Sequence, residues 1–421
     1  MNHSIFLCID LKSFYASVEC VERGLDPMTT NLVVADPDRS KNTICLAITP
    51  AMKQLGIKNR CRVREIPEKV KYITAPPRMQ FYIDYAAEIY GIYLKYISKD
   101  DIHVYSIDEA FLDVTNYLSL YNLTARELGQ KIMQDVLYKT GVRATCGIGT
   151  NLYLTKIALD ITAKHSPDFI GYLDEELFRE QLWDHKPLTD FWRIGVGTQA
   201  RLEKYGIYTM RDIANADEDM LYRIFGIDAE LMIDHAWGRE TCTMADIKSY
   251  KSSSKSISSG QVLMRDYKFD EGKLIVKEMI DLLSLDLVSQ NLVTKSVSLY
   301  IGYSIGNEMP PARGSISLET AVNSDKVLRD ELVKLYDRIV DRYTPIRRVN
   351  ISCNNVSKEE YVQFSFFDDV EALERERKIQ SVVVQLKHKF GKDAVLKGMN
   401  FSKAATTIER NHQIGGHKSG T

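Results

Sequence analysis

The stretch Tyr105-Ser106-Ile107-Asp108-Glu109-Ala110-Phe111-Leu112-Asp113-Val114 decides the fold of this chain. Apolar and polar residues alternate on both sides of two adjacent acids, which predicts two strand arms, 102–106 and 110–114, joined at a tight corner. Neighbouring carboxylates repel each other and lose solvation, so Asp108 and Glu109 favour a hard divalent cation between them. A solvated hairpin turn is the alternative, but such turns prefer Asn, Gly or Pro at the corner, and none occurs here.

A third acid, Asp10, completes the predicted metal site. It ends the apolar run at residues 5–9, Ile-Phe-Leu-Cys-Ile, and a segment with helical spacing follows at residues 13–23. A strand that ends in an acid and leads into a helix is typical of sites that handle phosphate groups. Together with Asp10, the acidic corner favours a metal site over a solvated turn.

The order of predicted elements brings these acids together. Without an insert at 31–76, the chain reads strand, helix, strand, strand, helix, strand, which predicts a split βαβ, ferredoxin-like sheet. The predicted elements are 5–10, 13–23, 102–106, 110–114, 124–140 and 144–149. In that topology the first strand lies beside the hairpin, so Asp10 and the acidic corner are expected to meet at one edge.

Composition indicates an ordinary globular protein. The chain has 421 residues, 44% hydrophobic and 27% charged, which suggests two to four domains. The formal net charge of -2 neither supports nor excludes DNA as a partner, so any contact with DNA must come from local patches.

Cysteine usage and hydropathy predict a cytoplasmic protein without a membrane span. The seven cysteines are scattered and show no zinc-ligand spacing, which is typical of reduced thiols. The amino-terminal sequence lacks a basic leader, and no apolar run approaches the ~20 residues that a membrane helix requires.

The remaining chain suggests further units. A helix is predicted at 151–163, and the sequence at 191–207 suggests a helix-hairpin-helix, whose backbone amides hold DNA phosphates without reading sequence. The Ser- and Lys-rich stretch 248–259 reads as a flexible linker. An α+β unit follows it, and the Gly- and His-containing carboxyl-terminal end is predicted to be mobile.

Two motifs resemble those of a known family. Residues 8–19, CIDLKSFYASVE, and residues 105–111, YSIDEAF, resemble the first and second catalytic motifs of the Y-family translesion DNA polymerases, within them the UmuC-like bacterial branch. Their joint occurrence in this order makes the resemblance specific. It implies an α+β multidomain fold, a right-hand polymerase with a ferredoxin-like palm, small fingers, a helix-hairpin-helix thumb and an α+β little finger. The implied bounds are palm 1–30 and 77–170, fingers 31–76, thumb 171–240, linker 241–259, little finger 260–355 and tail 356–421.

The resemblance also implies the chemistry. Asp10, Asp108 and Glu109 would bind two Mg²⁺ ions, with the carbonyl of Leu11 as a further ligand. Such a pair activates a primer 3′-hydroxyl and stabilises the pyrophosphate leaving group. The implied substrates are a DNA primer-template and deoxynucleoside triphosphates.

Nucleotide contacts follow from the same resemblance. Tyr15 falls at the position of the steric gate that excludes ribonucleotides, and Phe14 would line the same pocket. Lys164 falls at the position of a triphosphate-binding lysine. A packed helix residue and a solvated surface lysine are the alternatives for Tyr15 and Lys164. Where better-known relatives carry an arginine for the triphosphate, this chain has Lys53, which keeps the charge but loses the bidentate fork.

Contacts with DNA and with a partner protein are also implied. Ile194 and Gly195 fall in the hairpin that would hold a DNA phosphate, although Arg193 stands where the hairpin usually has a glycine. Residues 363–367, QFSFF, resemble the pentapeptide that binds the bacterial sliding clamp, with a last buried strand as the alternative. The implied clamp-binding residues are Gln363, Phe364, Phe366 and Phe367.

Two other functions fit parts of this pattern. A nucleotide cyclase shares a similar palm and paired metal acids, but it has no use for a helix-hairpin-helix or for a linked additional domain. A catalytically weak DNA-repair scaffold would bind primer-template and clamp without needing all three acids.

The short fingers segment predicts a roomy site, and hence low fidelity and distributive synthesis.

Overall fold

A computed structural model of the chain describes residues 4–251, 255–304, 306, 308–360 and 369–420. These residues form two compact units, and the boundary between the units falls after Lys251. None of the helices within the described ranges has the length and apolar character needed to cross a bilayer. Each unit has its own sheet and core, so the two are described separately.

The first unit contains eight strands and twelve helices among the described residues. The strands are β1 (Phe6–Leu11), β2 (Leu32–Val34), β3 (Ala47–Ile48), β4 (Ile73–Ala75), β5 (Ile102–Val104), β6 (Glu109–Asp113), β7 (Ala144–Gly149) and β8 (Ile170–Leu173). The helices are α1 (Phe14–Val21), α2 (Pro50–Gln54), α3 (Met79–Tyr93), α4 (Tyr117–Tyr121), α5 (Ala125–Thr140), α6 (Leu152–Ile157), α7 (Glu175–Gln181), α8 (Val196–Glu203), α9 (Met210–Ala214), α10 (Glu218–Phe225), α11 (Asp228–Ala236) and α12 (Met244–Ser249).

The central sheet of the first unit has the order β5-β6-β1-β7-β8. β1 lies in the middle and pairs antiparallel with β6 on one side and with β7 on the other. Strands β7, β1, β6 and β5 therefore have the ferredoxin-like order, which confirms the predicted topology. β8 adds a fifth strand parallel to β7. Ile170 and Leu173 of β8 are buried.

The insert predicted at 31–76 forms its own small sheet. Its order is β3-β2-β4, with β2 antiparallel to β3 and parallel to β4. α2 starts with Pro50, a residue suited to the first helical position because its missing N–H has no helical partner there. Buried Val33, Ile48 and Met52 form the centre of a separate small core.

The helix predicted at 151–163 is interrupted. α6 ends at Ile157, and Ala158–Thr162 continues as a π-helical turn. α6 lies directly on β7, since a Cβ at Gly147 would lie 2.2 Å from the Thr155 carbonyl oxygen. Only glycine permits this approach of helix and strand. The widened turn and the close packing together set where the side chains of this segment point.

Helices α7 to α11 surround a second apolar core in the first unit. Its buried members include Phe178, Phe191, Leu202 and Leu221. A turn at Gly226, with φ 63°, separates α10 from α11. These helices form the region predicted as the thumb.

The second unit contains a sheet covered by helices on one face. Its strands are β9 (Ser256–Tyr267), β10 (Leu292–Tyr303), β11 (Ala312–Val322), β12 (Ile346–Asn354), β13 (Ser357–Lys358), β14 (Gln413–Ile414) and β15 (His417–Lys418). Its helices are α13 (Phe269–Ser289), α14 (Asp325–Ile339), α15 (Val370–Phe390) and α16 (Thr407–Asn411). The main sheet has the order β11-β10-β12-β9, and its core residues include Ile280, Leu299, Leu332 and Tyr336.

The linker predicted within 241–259 is largely regular structure. Met244–Ser249 forms α12, and residues 256–259 begin β9, where they pair with β12. The serine-rich sequence lacks an apolar stripe, but strand pairing depends on backbone hydrogen bonds that any residue except proline can make. The prediction of a flexible linker is wrong for these residues.

The carboxyl-terminal end also has defined structure, so its predicted mobility is wrong. The buried carboxylate of Glu278 on α13 holds this segment. It accepts a hydrogen bond of 2.8 Å from Asn400 Nδ2 and one of 2.7 Å from the backbone N–H of Thr406. α16 and the hairpin of β14 and β15 follow. A buried carboxylate needs such donors, and this pairing of distant residues is invisible in the local sequence.

Candidate active site

The edge of the central sheet brings the three predicted acids together. β1 and β6 pair in a register that places Asp10 directly opposite Glu109. The backbone N–H of Leu11 donates to the carbonyl of Asp108 at 2.9 Å, which ties the end of β1 to the acidic corner. Thr145 Oγ1 donates to the Asp10 carbonyl at 3.2 Å from the other side. Acids about one hundred residues apart in sequence thus share one edge, as the predicted topology requires.

The electrostatics of this edge indicate a need for positive charge. Burial, together with the negative charges of Asp108 and Glu109, raises the pKa of Asp10 to about 7. Lys156 and Lys164 act in the opposite direction without cancelling the shift. A buried carboxyl group beside two other carboxylates is stabilised in its ionised form by a cation.

The other two carboxylates already have partners. Lys156 Nζ lies 2.8 Å from Glu109 Oε1 and 2.9 Å from Oε2, and Cys8 Sγ lies 3.2 Å from Oε1. Ser106 Oγ donates to Asp108 Oδ1 at 2.6 Å. Across the described residues, no group of three or more His, Cys, Asp or Glu side chains is arranged to hold a metal ion directly. The contacts of Lys156 and Cys8 with Glu109, and of Ser106 with Asp108, occupy carboxylate oxygens that a metal would need.

The donor set nevertheless suits magnesium. All three acids offer carboxylate oxygens, the ligands that hard divalent ions prefer, and no soft sulfur or imidazole ligand is needed. Asp10 is buried beside the charges of Asp108 and Glu109, and both effects raise its pKa, so a bound cation would favour its ionised form. Leu11 follows Asp10 at the end of β1, where its carbonyl is a further candidate oxygen ligand.

A group of lysines lies beside the acids. Partial burial lowers the pKa of Lys53, with Lys164 acting in the same direction and Asp10 and Asp108 against it. Burial also lowers the pKa of Lys12, followed by the positive charge of Lys53. Lys53 and Lys164 were predicted, whereas Lys12 was missed although it lies within the first motif. Lysines that depress one another's pKa form a ready site for a polyanion.

Tyr15 and Phe14 have different environments. Tyr15 is half-buried and its ring packs at 4.8 Å from the ring of Tyr82. Burial raises the pKa of Tyr15, and the charge of Asp108 contributes, so the phenol lies near the acidic edge. Phe14 is only 2% exposed, and its side chain is part of the interior. Tyr15, rather than Phe14, offers surface to a ligand.

The predicted DNA hairpin lies at the start of α8. Gly195 precedes this helix as its N-cap and is exposed, whereas the side chain of Ile194 is buried. Any contact at Ile194 would therefore use its backbone. Arg193 has a left-handed φ of 72°, a conformation that favours glycine and explains why glycine would suit this position. Trp192 Nε1 donates to Tyr105 Oη at 3.0 Å, which joins this hairpin to the corner segment.

The second unit presents a surface that was not predicted residue by residue. A shallow groove of about 1060 Å³ lies along its sheet, lined mainly by serine, glycine and asparagine. Arg313 and Arg348 border it, with their guanidinium groups 5.2 and 5.8 Å from the ring of Tyr300. Only the alternation of small polar residues along β9 hinted at this surface. The clamp-like residues 363–367 lie outside the described residues.

Comparisons with known proteins agree with these features. The family model described as the impB/mucB/samB family matches residues 9–160, and that of the impB/mucB/samB family C-terminal domain matches residues 254–366. The chain is 30% identical over 418 residues to "Putative UV-damage repair protein UvrX" of Bacillus subtilis (strain 168), covering 98% of this chain and 97% of that protein.

A second relative and a solved structure extend the comparison. The chain is 30% identical over 425 residues to "DNA polymerase IV 2" of Halalkalibacterium halodurans, covering 99% of this chain and 100% of that protein. The solved "Y-family DNA polymerase chimera Dbh-Dpo4(243-245)-Dbh" superimposes with a TM-score of 0.64 at 22% identity, covering 84% of this chain and 100% of that chain. This likeness establishes a shared fold.

Proposed function

The chain belongs to the impB/mucB/samB family, the Y-family of translesion DNA polymerases, and from this premise we propose that it extends primers past damaged template bases by two-metal-ion nucleotidyl transfer. The observation that carries the proposal is the register of β1 and β6, which sets Asp10 opposite Glu109. Burial, together with the charges of Asp108 and Glu109, raises the pKa of Asp10 to about 7. A sheet edge with this charge is suited to divalent cations.

Each acid has a proposed role at this edge. Asp10, Asp108 and Glu109 hold two Mg²⁺ ions, and the Leu11 carbonyl supplies a further oxygen. The metals would supply activation of the primer 3′-hydroxyl and stabilisation of the pyrophosphate leaving group. The protein orients the carboxylates through the register of β1 and β6.

The incoming nucleotide is proposed to lie between the acids and the lysines. Lys53 and Lys164 bind its triphosphate, and Lys12 adds a third charge close to them. Lysine holds phosphate as a point charge, without the bidentate geometry of arginine. Tyr15 occupies the space beside the sugar 2′ position and excludes ribonucleotides. Buried Phe14 supports Tyr15 from behind rather than contacting the nucleotide, as their ring centroids lie 5.6 Å apart.

Two surfaces are proposed to hold the primer-template. The backbone at Ile194 and Gly195 contacts a phosphate, and exposed Arg193 can supply its own charge. The groove of the second unit follows the duplex through small polar side chains, with Arg313 and Arg348 at its border. Such contacts read the phosphate backbone and not the bases, which suits an enzyme that must accept any sequence. The small insert sheet leaves the nascent base pair loosely enclosed, which supports low fidelity and distributive synthesis.

A clamp partner is proposed for residues 363–367. Gln363 anchors the pentapeptide, and Phe364, Phe366 and Phe367 fill an apolar pocket of the bacterial sliding clamp. Deleting these five residues should weaken pull-down by the clamp while leaving extension on short templates intact.

The cytoplasmic location stays a prediction from cysteine spacing.

Primer extension tests the proposed function directly. On undamaged and abasic templates with Mg²⁺, we expect distributive extension that disappears in Asp108→Ala. Asp135→Ala is the matched control, because Asp135 is an acid of α5 that pairs with Lys139 at 2.9 Å. Robust extension by Asp108→Ala would reject the metal assignment and favour the DNA-repair scaffold.

A further inference from the structure

Lys156 lies between two carboxylates beside the acidic edge. Its Nζ is 2.8 Å from Glu109 Oε1 and 3.1 Å from Asp160 Oδ2, and its side chain is only 9% exposed. The ring of Tyr105 lies under the ammonium group, with 5.8 Å from Nζ to the ring centroid. The Lys156 ammonium group thus has Glu109, Asp160 and the Tyr105 ring around it.

The fold places Lys156 there through specific backbone features. Asn151 caps α6 by accepting from the Leu154 N–H at 2.8 Å, and Gly147 lets the helix approach β7 closely. The π-helical turn Ala158–Thr162 begins two residues after Lys156 and carries Asp160. Single π-helical turns occur frequently at functional sites, because they shift side chains out of the regular helical register.

Glu109 is fully occupied as a result. Both of its carboxylate oxygens contact Lys156, and Cys8 Sγ donates to one of them at 3.2 Å. Its side chain is only 10% exposed. A buried carboxylate is costly without a partner of opposite charge, and Lys156 supplies that charge to Glu109.

We propose that Lys156 is a positioning residue that holds the Glu109 carboxylate in the metal-free protein and competes with the divalent cation for it. Cation uptake then requires Glu109 to exchange Lys156 for the metal. Lys156 keeps Asp160 as its partner during this exchange, so neither the lysine nor the glutamate is left buried without a counter-charge. The proposal rests on the metal site of the proposed function.

Competition and simple structural support predict opposite effects on metal affinity. If Lys156 only supports the fold, removing it loosens Glu109 and leaves metal binding unchanged or weaker. If Lys156 competes, removing it releases Glu109 and strengthens metal binding, because a ligand shared by two partners binds each less tightly than it would alone.

Binding of Mn²⁺ to the full-length chain, without DNA or nucleotide, tests the proposal. Free Mn²⁺ is counted by electron paramagnetic resonance during titration of each variant. In Lys156→Met the dissociation constant for Mn²⁺ should fall about tenfold, the factor that corresponds to ~1.4 kcal/mol. In Lys156→Arg, which keeps the charge and the donors, the constant should stay within about twofold of the wild type.

Lys164→Met separates competition from a general effect of charge. Lys164 also acts on the charge of Asp10, but it lies 3.9 Å from Asp160 and is 59% exposed, with no contact to Glu109 among the described side chains. Removing its charge should tighten Mn²⁺ binding no more than about threefold. An effect equal to that of Lys156→Met, or an unchanged or weaker constant in Lys156→Met, would overturn the proposal.

Thermal unfolding covers the case in which Lys156→Met folds poorly. The melting temperature of the metal-free variant should lie below that of the wild type, and Mn²⁺ should raise it more than in the wild type. If the variant folds under neither condition, Asp160→Asn decides. Lys156 is then shared by one carboxylate fewer, so Mn²⁺ binding should weaken several-fold, and an unchanged constant would overturn the proposal.

Asp10→Asn distinguishes failure of this proposal from failure of the proposed function. If Asp10→Asn binds Mn²⁺ as well as the wild type does, the acids do not form the metal site and the proposed function fails. If Asp10→Asn loses Mn²⁺ but Lys156→Met does not gain it, only the role of Lys156 is rejected.

Discussion

The acidic edge of the first unit and the groove of the second unit differ in the charge and the size of the side chains that line them. At the edge, three carboxylates are brought together by strand register, and the pKa of Asp10 rises to about 7 as a result. The groove is lined mainly by small neutral residues, with Arg313 and Arg348 at its border. Collecting like charge opposes folding, whereas lining a groove with serine and glycine hardly does. The proposed metal site therefore concentrates its energetic cost in a few residues, whereas the proposed duplex contacts are spread over many.

The largest effect is expected where charge is concentrated. Asp10→Asn should lower the single-turnover rate of primer extension by at least ~10³-fold, because several kcal/mol of stabilisation supplied through the metals would be lost. The melting temperature should not fall, since a neutral side chain relieves the repulsion. Asp135→Asn serves as the control for loss of an acid elsewhere. A rate within tenfold of the wild type would contradict the role of Asp10.

Tyr15 tests selectivity at the same edge. Tyr15→Ala should raise ribonucleotide incorporation relative to deoxynucleotide by ~10- to 100-fold, because the side chain that fills the space beside the 2′ position is gone. Tyr15→Phe, which keeps the ring, should discriminate as the wild type does. The ratio of kcat/KM for the two nucleotides is the measurement, and an equal ratio in wild type and Tyr15→Ala would remove Tyr15 from the gate.

The pH dependence of stability tests the accumulated charge without catalysis. The folded-state pKa of Asp10, about 7, lies above its unfolded value near ~3.8, so the folded protein binds this proton more tightly. Its contribution to stability is fully present below about pH 4 and is lost as the pH rises through about 7. Metal-free wild type should therefore lose free energy of unfolding over this range relative to Asp10→Asn.

Magnesium provides the matched control for that experiment. Because a bound cation favours the ionised carboxylate, saturating Mg²⁺ should shrink the difference between wild type and Asp10→Asn near neutral pH. Denaturant unfolding between pH 4 and 8 measures both conditions. Parallel curves for the two proteins without metal would show that Asp10 is not buried among like charges.

The smallest effect is expected in the groove. Arg348→Ala should weaken binding of a primer-template by about three- to tenfold at physiological salt and reduce the slope of log affinity against log salt by about 1, the signature of one lost phosphate contact. Arg347→Ala is the control, since Arg347 directly precedes Arg348 on β12 and pairs with Asp266 at 3.5 Å. Equal losses in the two variants would remove the groove from the DNA interface.

Some failures of prediction share one cause. Residues 256–259 read as a flexible linker because serine dominates them and no apolar stripe runs through the segment, yet they pair with β12 through the backbone, and Ile257 packs against the core of the second unit. The carboxyl-terminal end read as mobile, yet the buried Glu278 holds it through Asn400 and Thr406. Both depend on partners distant in sequence, and local composition carries no information about them.

The sequence by itself determined the acidic corner, the ferredoxin-like order and the acids Asp10, Asp108 and Glu109, because strand alternation and adjacent acids are local patterns. Tyr15 was singled out only by the resemblance of the first motif to that of the Y-family polymerases. Three properties follow only from the tertiary structure. Lys156 pairs with Glu109, Lys12 lies close enough to Lys53 to feel its charge, and the pKa of Asp10 is raised. Those properties depend on distances through space and on exclusion of water, and both arise only when separate segments pack together.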